Sequence, residues 1–265
     1  MRKILLFVVL IFISFLWAGQ VVLADEQENE EKKPYTSSTS LSLLFASGNT
    51  KDLTFGFDTE QSLSLKKNQF QLKGSAIYSQ SNSKKETEHY YGHLKYKRTL
   101  VNKTYLLGFG RFEKNVLAGY KYRLSFSAGA GFAWIKKEKT EFSTEATLGW
   151  NSESNVIPSQ NLDGDTLGVP RFKKSRDPSS FMSFMVSGSL KQEITSTSHV
   201  DIQELFFLNL REGKDFRISS LISLAAGISK SLALKFSYQI HYSHQPVPGF
   251  KSTDHYFFCS LVLNL

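Results

Sequence analysis

The segment Tyr122-Arg123-Leu124-Ser125-Phe126-Ser127-Ala128-Gly129-Ala130-Gly131-Phe132-Ala133-Trp134 decides the fold. Its even positions carry Tyr, Leu, Phe, Ala, Ala, Phe and Trp, and its odd positions carry Arg, Ser, Ser, Gly, Gly and Ala. That is a period of two, the period with which strand side chains alternate between faces. One face is apolar throughout, while the other is small, polar and once cationic. Tyr122 and Trp134 close the two ends of the apolar face, where amphipathic rings settle at the two interfaces of a lipid layer. A helix would scatter the same apolar residues around its cylinder and place both glycines inside it, at roughly 1 kcal/mol each.

The alternation recurs outward from this segment in both directions. Upstream, Leu53, Phe55, Phe57, Leu63 and Leu65 oppose Thr54, Gly56, Asp58, Glu60, Ser62 and Ser64. Downstream, Leu232, Leu234, Phe236, Tyr238, Ile240 and Tyr242 oppose Ala233, Lys235, Ser237, Gln239 and His241. About twelve strands result, near residues 41–45, 53–65, 69–81, 88–100, 105–113, 122–134, 142–150, 180–194, 200–210, 216–228, 232–242 and 255–265. Connections after even strands (Asn68, Asn102, Lys137, Thr197, Lys230) are short, and the longer ones around Lys85, Ala118, Ser159 and Pro248 follow odd strands. An even strand count with this loop parity predicts an all-β, antiparallel up-and-down transmembrane barrel with both termini in the periplasm. Closure is required because lipid offers no hydrogen-bond partner to an open sheet edge. A soluble periplasmic β-barrel acting as a binding module is the competing reading, since its strands alternate as well.

The chain begins Met1-Arg2-Lys3 and continues into an apolar run over residues 4–16, with Val22-Leu23-Ala24 supplying a cleavage site. We expect a signal peptide over residues 1–24, a flexible periplasmic leader over 25–38 and the barrel over 39–265. An anchor left uncleaved to Leu23 is the alternative. Export predicts the outer membrane of a Gram-negative cell, with its lipid and the barrel insertion machinery as partners, and a monomer.

Export permits disulfides, yet the 265 residues hold one cysteine, Cys259, so no intrachain bridge can form. Its parity matches Phe257 and Leu261, a small hydrophobe facing lipid. The formal charge of +8 is spread over nearly every segment, which reads as solvated ends and faces and not as a nucleic-acid footprint.

Chemistry-bearing motifs are sparse. Asp163-Gly164-Asp165 lacks the remaining ligands of a calcium loop. His89 and His93 stand roughly 13 Å apart at strand rise, too far to share an ion. No nucleophile elbow, P-loop, dinucleotide fingerprint or zinc-protease motif occurs, so no catalytic residue, cofactor or metal is expected. Arg171, Lys173, Lys174 and Arg176 form the densest basic run, suited either to anionic surface groups or to a solvated rim. The inward parity lines the barrel with Asp58, Glu60, Lys73, Lys95, Lys97, Arg123, Glu145, Asp201, Arg217 and Lys235. Charges of both signs predict pairing across the lumen, hence a narrow channel or a filled structural barrel. An enzyme acting on membrane lipid is the remaining alternative.

Gly48-Asn49-Thr50 after the first strand, and Pro246 leading through Thr253-Asp254 into the last, make the chain resemble the salt-induced outer-membrane protein family, a domain of unassigned function. The resemblance runs from about Leu41 to Leu265. It implies an outer-membrane β-barrel, a link to envelope or salt stress, and no catalytic residues. Members of that family usually finish on an aromatic residue, whereas this chain ends Leu261-Val262-Leu263-Asn264-Leu265.

Overall fold

The computed structural model describes residues 34–47, 53–81, 84–101, 103–116, 119–158, 172–175, 178–229 and 231–264. Thirteen strands appear among them: β1 (Tyr35–Ser47), β2 (Leu53–Leu65), β3 (Asn68–Ser81), β4 (Lys84–Val101), β5 (Thr104–Asn115), β6 (Tyr120–Lys136), β7 (Thr140–Pro158), β8 (Phe172–Ser175), β9 (Ser179–Glu193), β10 (Ser198–Asn209), β11 (Phe216–Gly227), β12 (Leu232–Ser243) and β13 (Thr253–Asn264). Twelve of them form the barrel, each antiparallel to its neighbours. β1 closes the ring against β13, from Ser38↔Asn264 to Ser47↔His255. β8 is an appendage, paired only with the end of β7.

The two faces separate as the alternation requires. On β6, Phe126 and Trp134 are each 54% exposed on the outside, while Ser125 (5%) and Ser127 (7%) are buried within. Gly131 also belongs to the inner face, and the reason is local: a Cβ there would run into the Tyr105 ring of β5. Outside, Trp134 donates from its indole Nε1 to Thr144 Oγ1 at 2.9 Å, so its polar edge is satisfied while its ring is presented outward. The turn between β2 and β3 is tight, with Lys66 in the left-handed region (φ 50).

Three expected boundaries are corrected. Residues 35–38, assigned to the leader, belong to β1 and pair with β2 from Tyr35↔Leu63 to Ser38↔Glu60. Residues 84–87, assigned to a loop around Lys85, belong to β4 and reach Ser81↔Lys84. Residues 151–158, assigned to the long loop, continue β7: Tyr120↔Asn155 and Ser152↔Ser180 join it to β6 and β9. The cause is the same each time. Backbone pairing continues past the apolar band, where both faces are polar and the hydrophobic period no longer marks the strand. The signal peptide, residues 25–33 of the leader, Gly48, Asn49, Thr50, the Asp163-Gly164-Asp165 turn, Arg171, Arg176 and Leu265 lie outside the described residues.

Candidate functional site

The inner face carries two charged layers. The layer nearer the end at which β1 starts and β13 finishes is built on Glu145 of β7. Lys95 Nζ of β4 donates to both its oxygens, at 2.8 and 2.6 Å, and Lys97 Nζ stands 3.3 Å from it. Tyr105 donates its hydroxyl to Glu145 at 3.1 Å, and the Lys97 ammonium lies 4.7 Å from the Tyr105 ring centroid. β5 and β6 separate β4 from β7 in the sheet, so two lysines and one carboxylate meet through the interior. Close by, Lys73 pairs with Glu60 at 3.1 Å and Ser42 donates to Asp58 at 3.4 Å. His199 stands 3.3 Å from Asp201.

The layer nearer the opposite end is built on Glu153, which is 5% exposed. Arg123 Nε of β6 donates to it at 2.9 Å, and Arg217 of β11 donates twice, at 2.7 and 3.1 Å. β9 and β10 stand between β7 and β11, so the Arg217 bridge also crosses the interior. Arg217 holds Asp215 with a second fork at 3.0 and 2.9 Å. Arg123 reaches Glu113 at 3.4 Å, which Arg111 binds at 2.8 Å and His89 approaches at 3.6 Å. The Tyr120 ring lies under both guanidiniums, 3.9 Å from that of Arg123 and 5.4 Å from that of Arg217.

Between the layers the interior is partly apolar. Phe181, Met185 and Phe207 form a cluster joined by Phe109 from β5 and Leu205 from β10. Met185 pairs with Thr147 and Phe181 with Asn151, which sets this waist between Glu145 and Glu153 along β7. At strand rise those two carboxylates are roughly 27 Å apart along the chain. Arginine forks and lysine ammonium groups neutralise the carboxylates they reach across the interior, so the arrangement narrows the interior and leaves little free charge.

All ten residues assigned to the inner face lie on inward parity. Lys95, Lys97 and Glu145 come together, as do Arg123 and Arg217 on Glu153, and Glu60 and Lys73. Asp254 is buried at the start of β13 and Pro246 lies in the connection before it; Lys173 and Lys174 lie in β8. Glu153, Glu113, Arg111 and Asp215 were missed. Glu153 sat in an expected loop, although Asn151, Glu153 and Asn155 continue the parity of Glu145. His89 and His93 act apart, the first on Glu113 and the second against the Phe109 ring at 5.2 Å. Among the described residues no group of three or more His, Cys, Asp or Glu is placed to hold a metal ion.

The fold is that of solved outer-membrane barrels. The chain is similar to the NanC porin, with a TM-score of 0.55 at 9% identity over 86% of this chain and 100% of that one. It also matches the translocator domain of the autotransporter NalP from Neisseria meningitidis (TM-score 0.49, 9% identity, 88% and 89% covered). A third match is the KdgM porin (TM-score 0.45, 7% identity, 85% and 98% covered). No curated protein matches the chain. The family model described as "Protein of unknown function, DUF481" matches residues 39–264, nearly the whole barrel, and the chain belongs to that family.

Proposed function

We propose that this chain is a non-enzymatic channel of the outer membrane, exported by its amino-terminal signal and inserted by the barrel machinery, through which flow is restricted by the charges lining its lumen. The supporting observation is that both charged layers are bridged between strands that are not neighbours, Lys95 to Glu145 and Arg217 to Glu153. An aqueous pore lined in this way conducts ions weakly, because each lining charge already has a partner. Conductance in planar bilayers tests the reading. Replacing Lys95 and Arg123 together removes one cation from each layer and is expected to change single-channel conductance; an unchanged value overturns the proposal.

The apolar waist of Phe109, Phe181, Met185 and Phe207 favours a second reading, a filled structural barrel. It predicts no unitary current at all, from parent or double variant, in protein that folds and shifts in mobility normally.

A further inference from the structure

The connection between β12 and β13, residues 244–252, is a loop at the Glu153 end whose middle is buried: Val247 is 6% exposed. What covers it is Gly119, in the connection between β5 and β6. A Cβ placed on Gly119 would lie 2.9 Å from Val247 Cβ and 3.0 Å from Phe250 Cδ2, so the two side chains rest directly on its backbone. Gly119 has φ +86, which glycine adopts freely, and its carbonyl accepts the Val156 N–H at 2.9 Å, fixing this seat to the β7 extension.

The two connections belong to opposite walls. From β6 to β12 the ring passes through β7, β9, β10 and β11; the other way, β4, β3, β2 and β1 separate β5 from β13. Loops rooted so far apart touch only if one of them crosses the mouth. The crossing loop has a fixed base and a compact tip. At the base the Ser243 N–H donates to Ser252 O at 2.8 Å, the His244 N–H donates to Phe216 O at 3.0 Å, and the His244 ring stacks on Phe216 with centroids 4.6 Å apart. At the tip the Phe250 N–H donates to Val247 O at 2.9 Å around Gly249, itself at φ +89. The contact between tip and seat is apolar.

We propose that residues 244–252 are a lid on the outer mouth, closed in this structure by seating Val247 and Phe250 on Gly119 and opened by swinging about the base at Ser243 and Ser252. The proposal deepens the channel reading by assigning its gate, but the lid itself is a property of the folded barrel. Beneath it lies the Glu153 layer and, level with Arg217 in the β11–β12 register, Ser243, whose Oγ is buried without a partner.

Ser243 therefore reports on the lid. In purified, folded protein with Cys259→Ser, the variant Ser243→Cys is exposed to a bulky charged maleimide and its labelling rate is measured. With the lid intact, labelling is slow. Val247→Gly with Phe250→Gly removes the apolar seat and is expected to speed labelling about tenfold or more. Gly119→Val wedges the seat from the opposite wall and is expected to do the same. The unboiled mobility shift verifies folding in each case. Fast labelling under the intact lid, or protection that survives both changes, overturns the proposal. Because the assay is run in detergent and reads no current, failure of the channel or of its membrane placement leaves a distinct signature: labelling behaves as expected while conductance or fractionation does not.

Discussion

At the residue scale the most consequential side chain is Glu153, because two guanidiniums from different walls depend on it. Removing one member of a buried ionic group leaves the others unpaired in a low dielectric, which costs about 3–5 kcal/mol. Glu153→Ala is therefore expected to lower the temperature at which the compact, unboiled form converts to the slower or faster unfolded band. Glu204 presents the opposite case. It lies on the outward face of β10 between Ile202 and Phe206, beside Gly188 of β9, with the Ser220 hydroxyl donating to it at 2.5 Å. A charged group on the lipid face costs most at mid-depth, with carboxylates below the roughly 2–4 kcal/mol of Arg or Lys. Glu204→Leu should raise the same conversion temperature, and a fall would mean that Glu204 is not facing lipid. Parity made Glu145 and Lys95 readable as inward; that they meet was not readable, because sequence alternation fixes a face and carries no information on distances across the ring.

At the scale of elements the alternation located every barrel strand within the apolar band and failed beyond it at both ends. β7 is the clearest instance: its lower half follows Phe142, Ala146, Leu148 and Trp150, while residues 151–155 are polar on both faces and read as loop although they pair with β6, and up to Glu153 with β9 as well. The closure seam between β1 and β13 followed from the need to leave no edge in lipid, but its register did not. That register places Leu43 opposite Cys259 on the outer face. Directly opposed residues have Cβ atoms about 4.5–5.5 Å apart, close to what a disulfide spans. Leu43→Cys should therefore cross-link to the native Cys259 on mild oxidation, tying the first strand to the last and keeping the boiled, unreduced protein more compact than the reduced one. Cross-linking from Leu41→Cys and not from Leu43→Cys would shift the seam by two residues.

At the scale of the whole molecule the chain is basic, yet the charge gathered inside is balanced. Among the described residues the interior sets Lys73, Lys95, Lys97, Arg111, Arg123, Arg217 and Lys235 against Asp58, Glu60, Glu113, Glu145, Glu153, Asp201, Asp215 and the buried Asp254, near-equal numbers of the two signs. The excess cations of the formal +8 therefore lie elsewhere on the chain. A channel lined this way should discriminate poorly between small anions and cations, and the reversal potential across a salt gradient should stay close to zero. Glu145 is where that balance is easiest to tip, because it alone neutralises two ammonium groups, at 2.6 and 3.3 Å. Glu145→Gln keeps the shape and leaves Lys95 and Lys97 unpaired in the conducting path, so the reversal potential should move in the direction of anion preference. The shift should be largest at low ionic strength, since at 1 M salt the screening length falls to about 3 Å, shorter than the separation between lining charge and permeating ion. A Glu145→Gln channel with the parent's reversal potential at low salt would place Lys95 and Lys97 outside the ion path, and would leave the Glu153 layer as the constriction through which ions pass.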